Sequence, residues 1–372
     1  MNSLFPIPKH WFVYLIVTFV ISGCQSTFGP NTLARTHPAY NKTISETLSE
    51  QMLLNMVRLR YREQPSFLDV TSITVSPRIQ TSALLDTEID IGPGGNVIFP
   101  QVGVVYSQSP TISYTPLRGE DFLKSVLSPI SLEAILVMTQ SGWSIERVFG
   151  ITVERMNDLY NVPSASGPTP NEEPNRYEIF ARTLALFRLL QKERLIEIGL
   201  HIDINNDQQR DLVMLFVRDE RFKEEGKELQ SLLEISADDN KVFISDNFLD
   251  KNPHTLNVRI RSMMSVFFYL SQNIKVPDEH KAVGLVTVTR IADGNEFNWS
   301  KTPAGKYFVV HSSKKRPANA YIAVPHRGYW FYIANDDLQT KSSFLLVQQL
   351  FNLQAGQSKA VGPTLTLPVG GR

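Results

Sequence analysis

The chain has a single cysteine, Cys24, among its 372 residues, so one copy can form neither a disulfide nor a cysteine-based zinc site. It also lacks an excess of either charge. With 37 Lys and Arg against 37 Asp and Glu, no global field draws it to nucleic acid or to any strongly charged partner, and no nucleic-acid partner is expected. The histidines beyond the first ten residues are His37, His201, His254, His280, His311 and His326; none forms an HExxH pair or another short ligand motif, so no metal site and no cofactor is assigned. There is no repeat of fixed period. After residue 21 no apolar stretch approaches the roughly 20 residues of a spanning helix.

What is present is concentrated at the start. Lys9 and His10 precede an apolar run over residues 11–21, followed by the small residues Ser22 and Gly23, in the order of an export signal. Pro6 and Pro8 interrupt the only residues that could lengthen the run into a membrane span. Residues 1–23 are therefore expected to be a signal peptide.

The sequence Ile21-Ser22-Gly23-Cys24 resembles the lipobox of bacterial lipoproteins, in which the cysteine becomes the first mature residue and carries lipid. The resemblance covers about two dozen residues and implies acylation of Cys24 on its sulfur and amino nitrogen, the thiolate being the nucleophile for thioether formation. One acyl chain holds a protein only marginally, whereas the three chains that the resemblance implies make a lasting anchor. In Gram-negative lipoproteins an aspartate after the cysteine commonly retains the protein in the inner membrane. Gln25 does not carry that mark, so the resemblance implies the outer membrane, facing the periplasm.

Beyond the cysteine, residues 24–42 are polar and broken by Gly29, Pro30 and Pro38, which reads as a tether. Thr43 and Glu46 have capping-box spacing, and Ile44, Leu48, Met52, Met56 and Leu59 recur as one helical stripe. Arg58, Arg60 and Arg62 are expected to be solvated charges complementing the dipole at the helix end. Residues 67–116 alternate and are rich in β-branched side chains, which predicts a small antiparallel sheet with a turn at Gly92-Pro93-Gly94-Gly95-Asn96. That cluster lacks the lysine, spacing and following helix of a phosphate loop. Helical patterns occupy 121–160, with breaks near Pro129 and Gly142.

The proline-rich stretch 161–175 reads as a linker or exposed loop between an N-terminal α+β region, 43–160, and a C-terminal one, 176–372, although the two can equally form one domain. In the second region helices are expected at 177–195, with Phe180, Leu184, Phe187 and Leu190 or Gln191 along the buried side, and at 221–233 and 258–274, and strands at 196–202, 212–217, 307–311, 320–324 and 329–333. A last helix, capped by Asn335 or Asp336, is expected to run to about Leu353. The class is α+β: small antiparallel sheets packed with amphipathic helices, topology open.

Few residues suggest chemistry. Asp203, Asn205 and Asp207 alternate like the opening of a calcium loop, but Gln208 stands where the turning glycine belongs and Met214 where the bidentate glutamate belongs, so a polar turn explains them better. Ser144 lies in Gly142-Trp143-Ser144-Ile145-Glu146, which lacks the second glycine of a nucleophile elbow. No catalytic residue is assigned. The run Tyr329-Trp330-Phe331-Tyr332-Ile333 suits either a stacking surface or a buried strand, and Lys314-Lys315-Arg316 reads as a solvated loop. The expected function is a non-enzymatic, lipid-anchored envelope protein that contacts the membrane through Cys24 and binds an envelope protein or polymer. The alternatives are an envelope hydrolase or transferase with dispersed catalytic groups, and a small-ligand receptor.

Overall fold

The computed structural model describes residues 30–86, 99–167, 177–202, 210–236, 239–249, 252–355 and 365–368. In chain order the elements are α1 (Pro30–Arg60), β1 (Phe67–Asp86), β2 (Phe99–Leu117), α2 (Glu120–Leu127), α3 (Leu132–Gln140), α4 (Ile145–Thr152), β3 (Val153–Met156), β4 (Leu159–Tyr160) and a 3-10 turn, Pro163–Ser166. There follow α5 (Tyr177–Lys192), β5 (Ile196–Ile202), β6 (Arg210–Phe216), α6 (Lys223–Leu232), β7 (Lys241–Ser245), β8 (Thr255–Ile260), α7 (Met263–Ser271) and α8 (Asp278–Ala282). The chain finishes with β9 (His311–Ser313), β10 (Ala320–His326), β11 (Tyr329–Ala334), α9 (Leu338–Ala355) and β12 (Leu365–Pro368). The class is α+β, with three sheets among the described residues packed with helices. No helix among the described residues is long and apolar enough to cross a membrane.

The chain divides into two compact units between Ser49 and Glu50. In the first, α1 starts well before the expected cap at Thr43, so the expected tether is helical from Pro30 onward. Pro30 stands at the first helical position, where a missing N–H costs nothing, and Leu33, Ala34, Arg35 and Ala39 are good helix formers. Pro38 lies inside the helix and removes one backbone donor. Thr43 is therefore mid-helix; its hydroxyl donates to the Ala39 carbonyl at 3.0 Å instead of capping.

In the second unit the helical stripe is buried through Met52, Met56 and Leu59, joined by Leu53 and Val57, whereas Leu48 is exposed. Arg60 corrects a sequence expectation: it is buried, and its guanidinium donates to the Thr287 carbonyl at 2.9 Å. The Asn55 side chain fixes the exit from α1. Its Nδ2 donates to the Ser66 carbonyl at 2.7 Å and its Oδ1 accepts from the Ser66 N–H at 2.9 Å, a side-chain imitation of a β-bridge. Phe67 then opens β1, stacked on Phe351 at 4.9 Å and on Phe267 at 6.0 Å between ring centroids. These contacts seat the root of the β1–β2 ribbon against α7 and α9.

The main sheet has the order β4-β3-β8-β7-β6-β5 and is antiparallel except for β7–β8. Its strands come from both sides of 161–175, so the stretches before and after it share one sheet and one core. The described part of that stretch is not an exposed linker: Asn161, Val162 and Ala165 are buried. Along α5, Phe180, Leu184, Phe187 and Leu190 are buried as the periodicity predicts.

The helix expected over 258–274 is two elements, β8 and then α7. The change falls at Ser262, whose Oγ accepts from the Ser265 N–H at 3.1 Å and starts the helix there. The last helix is capped by Asp337, not by Asn335 or Asp336; its Oδ1 accepts from the Thr340 N–H at 2.9 Å. Of residues 307–311, only His311 is in a strand, and Val310 makes a single bridge with Ile274.

Candidate functional site

A convergence of titratable side chains lies where α1 ends. The Glu63 N–H donates to the Arg58 carbonyl at 2.9 Å and the Arg62 N–H to the Leu59 carbonyl at 3.0 Å, the hydrogen-bond pair of a Schellman motif. Arg62 takes the left-handed position at φ 60°, where glycine is usual. This stop places Tyr61 inward, 5% exposed, and Glu63 at the rim.

Two further elements meet it. β10 and β11 are joined by Arg327 (φ 47°) and Gly328 (φ 81°), and two successive residues of positive φ make the tight turn that suits the twist of a hairpin. The turn delivers His326 and Arg327: the Arg327 Nε donates to Glu63 Oε1 at 2.8 Å, and its guanidinium carbon lies 5.5 Å from the centre of the Tyr61 ring. From α8, His280 Nδ1 is 2.7 Å from the Tyr61 hydroxyl. The His326 ring stands edge-on to Tyr61 at 5.0 Å; its Nε2 is 3.4 Å from Glu63 Oε2 without the alignment of a hydrogen bond.

Burial dominates the electrostatics. It pushes the Tyr61 phenol up to about 12 and brings the Arg60 guanidinium down to about 10. Burial also lowers His326 below its ordinary value, with the Glu63 carboxylate opposing the shift. Tyr61 therefore keeps its proton at neutral pH and acts as a hydrogen-bonding pivot, while Glu63 is engaged by Arg327. The set ties the end of α1 to α8 and to the β10–β11 turn. Chemically it is a proton-sensitive clasp.

A second buried network centres on Arg261, which is fully enclosed. Its guanidinium donates to the carbonyls of Val153 (2.7 Å), Asn161 and Val162 (3.2 Å), and to Ser166 Oγ (3.0 Å). The Tyr269 ring lies 4.3 Å from its carbon, and the Tyr269 hydroxyl donates to Asn161 Oδ1 at 3.1 Å. The Ser166 hydroxyl in turn donates to Glu154 Oε2 at 2.6 Å. Val162, β-branched and at φ 46°, is held in a strained conformation by this network.

The other residues singled out in the sequence fall as follows. Cys24, the Gly92–Asn96 cluster, and Asp203, Asn205 and Asp207 lie outside the described residues. Ser144 is the N-cap of α4, its Oγ accepting from the Arg147 N–H at 3.2 Å. His254 pairs with Asp239 at 2.5 Å on the surface, and His311 lies against Tyr332 at 5.5 Å. In β11, Phe331 and Ile333 are buried, whereas Tyr329, Trp330 and Tyr332 are half-buried. Arg316 lies over Trp330 at 5.2 Å and Lys314 over Tyr329 at 5.8 Å, so two of the three exposed basic residues stack on aromatic rings.

A cleft of about 250 Å³ opens elsewhere, beside Arg155, Asn157, Glu234, Phe248 and Asn257. Arg155 packs on Phe248 at 4.7 Å, and Arg259 also approaches that ring, at 5.2 Å. Among the described residues, no three of His, Cys, Asp and Glu are grouped to hold a metal.

Neither Tyr61 with its two histidines nor Arg261 announced itself in the sequence. The readable signal was Arg327-Gly328 between two strand patterns. Comparison with protein families, with curated proteins and with solved structures found no match to this chain.

Proposed function

We propose that this chain is a lipid-anchored protein of the bacterial cell envelope, held at the outer membrane by acylated Cys24 and facing the periplasm, whose body binds an envelope protein or polymer. The observation that carries the anchoring is the order of the first 24 residues: Lys9 and His10, the apolar run 11–21, and the lipobox-like Ile21-Ser22-Gly23-Cys24. Binding is supported by one face of β11, where Trp330 and Tyr332 are half-buried and exposed Arg316 lies over Trp330. Rings with one covered and one open face, bordered by cations, suit stacking on a polymer or on a partner's side chains.

The test is metabolic labelling with palmitate in a Gram-negative host. The natural chain should incorporate label, run as a shortened mature form and sediment with outer membranes, and Cys24→Ala should lose all three properties. Unchanged processing and sedimentation of Cys24→Ala would overturn the anchor. For binding, in-cell crosslinking should recover a stoichiometric envelope partner with the natural chain, and Trp330→Ala combined with Arg316→Ala should reduce that recovery.

A further inference from the structure

The pairing of β1 and β2 carries more than a small sheet requires. The two strands pair without a break in register from Ser72–Ser113 to Asp86–Phe99. Directly paired residues share a face, and successive residues alternate between faces. One face of the ribbon thus carries Ile73, Val75, Ile79, Ala83 and Leu85 of β1, with Val102, Val104, Tyr106 and Ile112 of β2; Thr81 and Gln108 are its polar exceptions. The other face carries Ser72, Thr74, Ser76, Gln80 and Ser82, with Gln101, Ser107, Ser109 and Thr111; its exceptions are Leu84, Val105 and Phe99.

Among the described elements β1 and β2 pack extensively with each other and with β12. Among the described residues β12 pairs with β2 from Thr111 to Tyr114, so there β1 is one edge of the sheet and residues 99–110 of β2 are the other. A two-stranded ribbon with one largely apolar face is marginal in water. Its dimensions suit another solvent. From Ile73 to Leu85 the rise of roughly 3.3 Å per residue gives about 40 Å. At the 35–45° tilt of transmembrane strands that spans about 30 Å, the thickness of a bilayer's hydrocarbon core.

We infer that β1 and β2 form a membrane-inserting hairpin whose apolar face meets lipid hydrocarbon, and whose edges pair with the hairpins of further copies of this chain to close a barrel. Closure is a physical requirement, because an open strand edge cannot satisfy its backbone groups in hydrocarbon. Head-to-tail pairing of β1 of one copy with β2 of the next gives a ring with an even number of strands. The Ser, Thr and Gln face then lines the interior. Pro77, Pro100 and Pro110 each lack a backbone N–H, which restrains the free edges from indiscriminate pairing before insertion. The inference rests on the membrane location proposed above but not on the lipid.

The experiment places single cysteines at positions 74, 75, 79, 80, 102 and 107 of the full mature chain, in the natural protein and in Cys24→Ser, and labels them with an environment-sensitive fluorophore. Both chains are added to vesicles of phosphatidylethanolamine and phosphatidylglycerol. Positions 75, 79 and 102 should brighten several-fold and be quenched by nitroxide on the acyl chains, whereas 74, 80 and 107 should be quenched only by soluble iodide. Ile79→Arg and Val104→Arg should abolish release of entrapped dye and leave single copies, with the near-ultraviolet circular dichroism of the body unchanged; Ser76→Arg should do neither. Uniform emission along both faces in both chains, with or without vesicles, overturns the inference. Protection of the apolar face from both quenchers overturns it too, assigning that face to protein. In either case the anchor stands or falls separately on palmitate labelling.

Discussion

Tyr61 and His280 lie 219 positions apart in the chain and meet through a 2.7 Å hydrogen bond between the phenol oxygen and Nδ1. The same ring stands edge-on to His326 at 5.0 Å and to Phe331 at 6.0 Å, so one side chain at the end of α1 is shared by α8 and the β10–β11 hairpin. Tyr61→Phe keeps the ring contacts and removes the hydroxyl, and should cost about 0.5–1.5 kcal/mol. Tyr61→Ala should cost about 3–5 kcal/mol, because the buried ring goes as well. Urea denaturation of the two variants separates the terms; no loss in Tyr61→Phe would show that the bond contributes nothing beyond packing.

Acid should loosen the same clasp. The folded pKa of His326 lies below its ordinary value of 6.5 because burial disfavours the imidazolium. As pH falls, the unfolded chain binds this proton first. The contribution is complete above 6.5 and is lost as pH falls through the lower, folded value. Denaturation midpoints measured from about pH 7.5 down to about pH 5 should fall less steeply in His326→Gln than in the natural chain.

Glu63 works in the opposite direction on that histidine, since its carboxylate favours the imidazolium. Glu63→Gln should therefore move the His326 titration, followed by its ring proton shifts in NMR, to still lower pH. The accompanying loss of the Glu63–Arg327 pair should cost no more than about 1 kcal/mol, because both side chains remain partly in water.

Arg261 should tolerate no replacement. Its fork serves three carbonyls and a hydroxyl in a closed site, and each buried acceptor left without a donor costs about 1–3 kcal/mol. Arg261→Met and Arg261→Lys should both lower the melting temperature sharply, since a lysine ammonium cannot reproduce the planar fork. Hydrogen exchange should rise first over residues 161–166. Uniform acceleration across the body would argue against a local role.

Gly305 is fixed by space. A Cβ there would collide with the Trp299 carbonyl oxygen and come within 2.8 Å of Ser300 Cα, both backbone atoms that cannot swing aside. Gly305→Ala should destabilise by at least about 1–3 kcal/mol, the cost of overpacking, whereas Gly226→Ala, in open space, should leave the melting temperature nearly unchanged or raise it slightly.

Legibility in the sequence followed the range of the physics involved. The α5 stripe of Phe180, Leu184, Phe187 and Leu190 was readable because periodicity and burial are local. Residues 258–274 were misread because β8 runs almost directly into α7, and an apolar run does not show by itself where strand gives way to helix; the hydroxyl of Ser262 decides it. Arg60 and Arg261 look like any surface arginine in the sequence, since their burial depends on carbonyls supplied by distant segments. The meeting of His280 and His326 at Tyr61 left no spacing to detect, because three separate elements deliver them.

The position of β8 bears on how the body assembles. Before β8 is in place, β3 and β4 can hold only each other, and β5, β6 and β7 form a separate meander of neighbours in sequence. Both pieces are fragments that turn chemistry can assemble quickly. Joining them requires one strand to pair antiparallel on one side, with β3, and parallel on the other, with β7. The late, rate-setting event should be the arrival of β8 between two preformed edges, so substitutions in β8 should slow folding while those in β5, at the far edge, should mainly hasten unfolding.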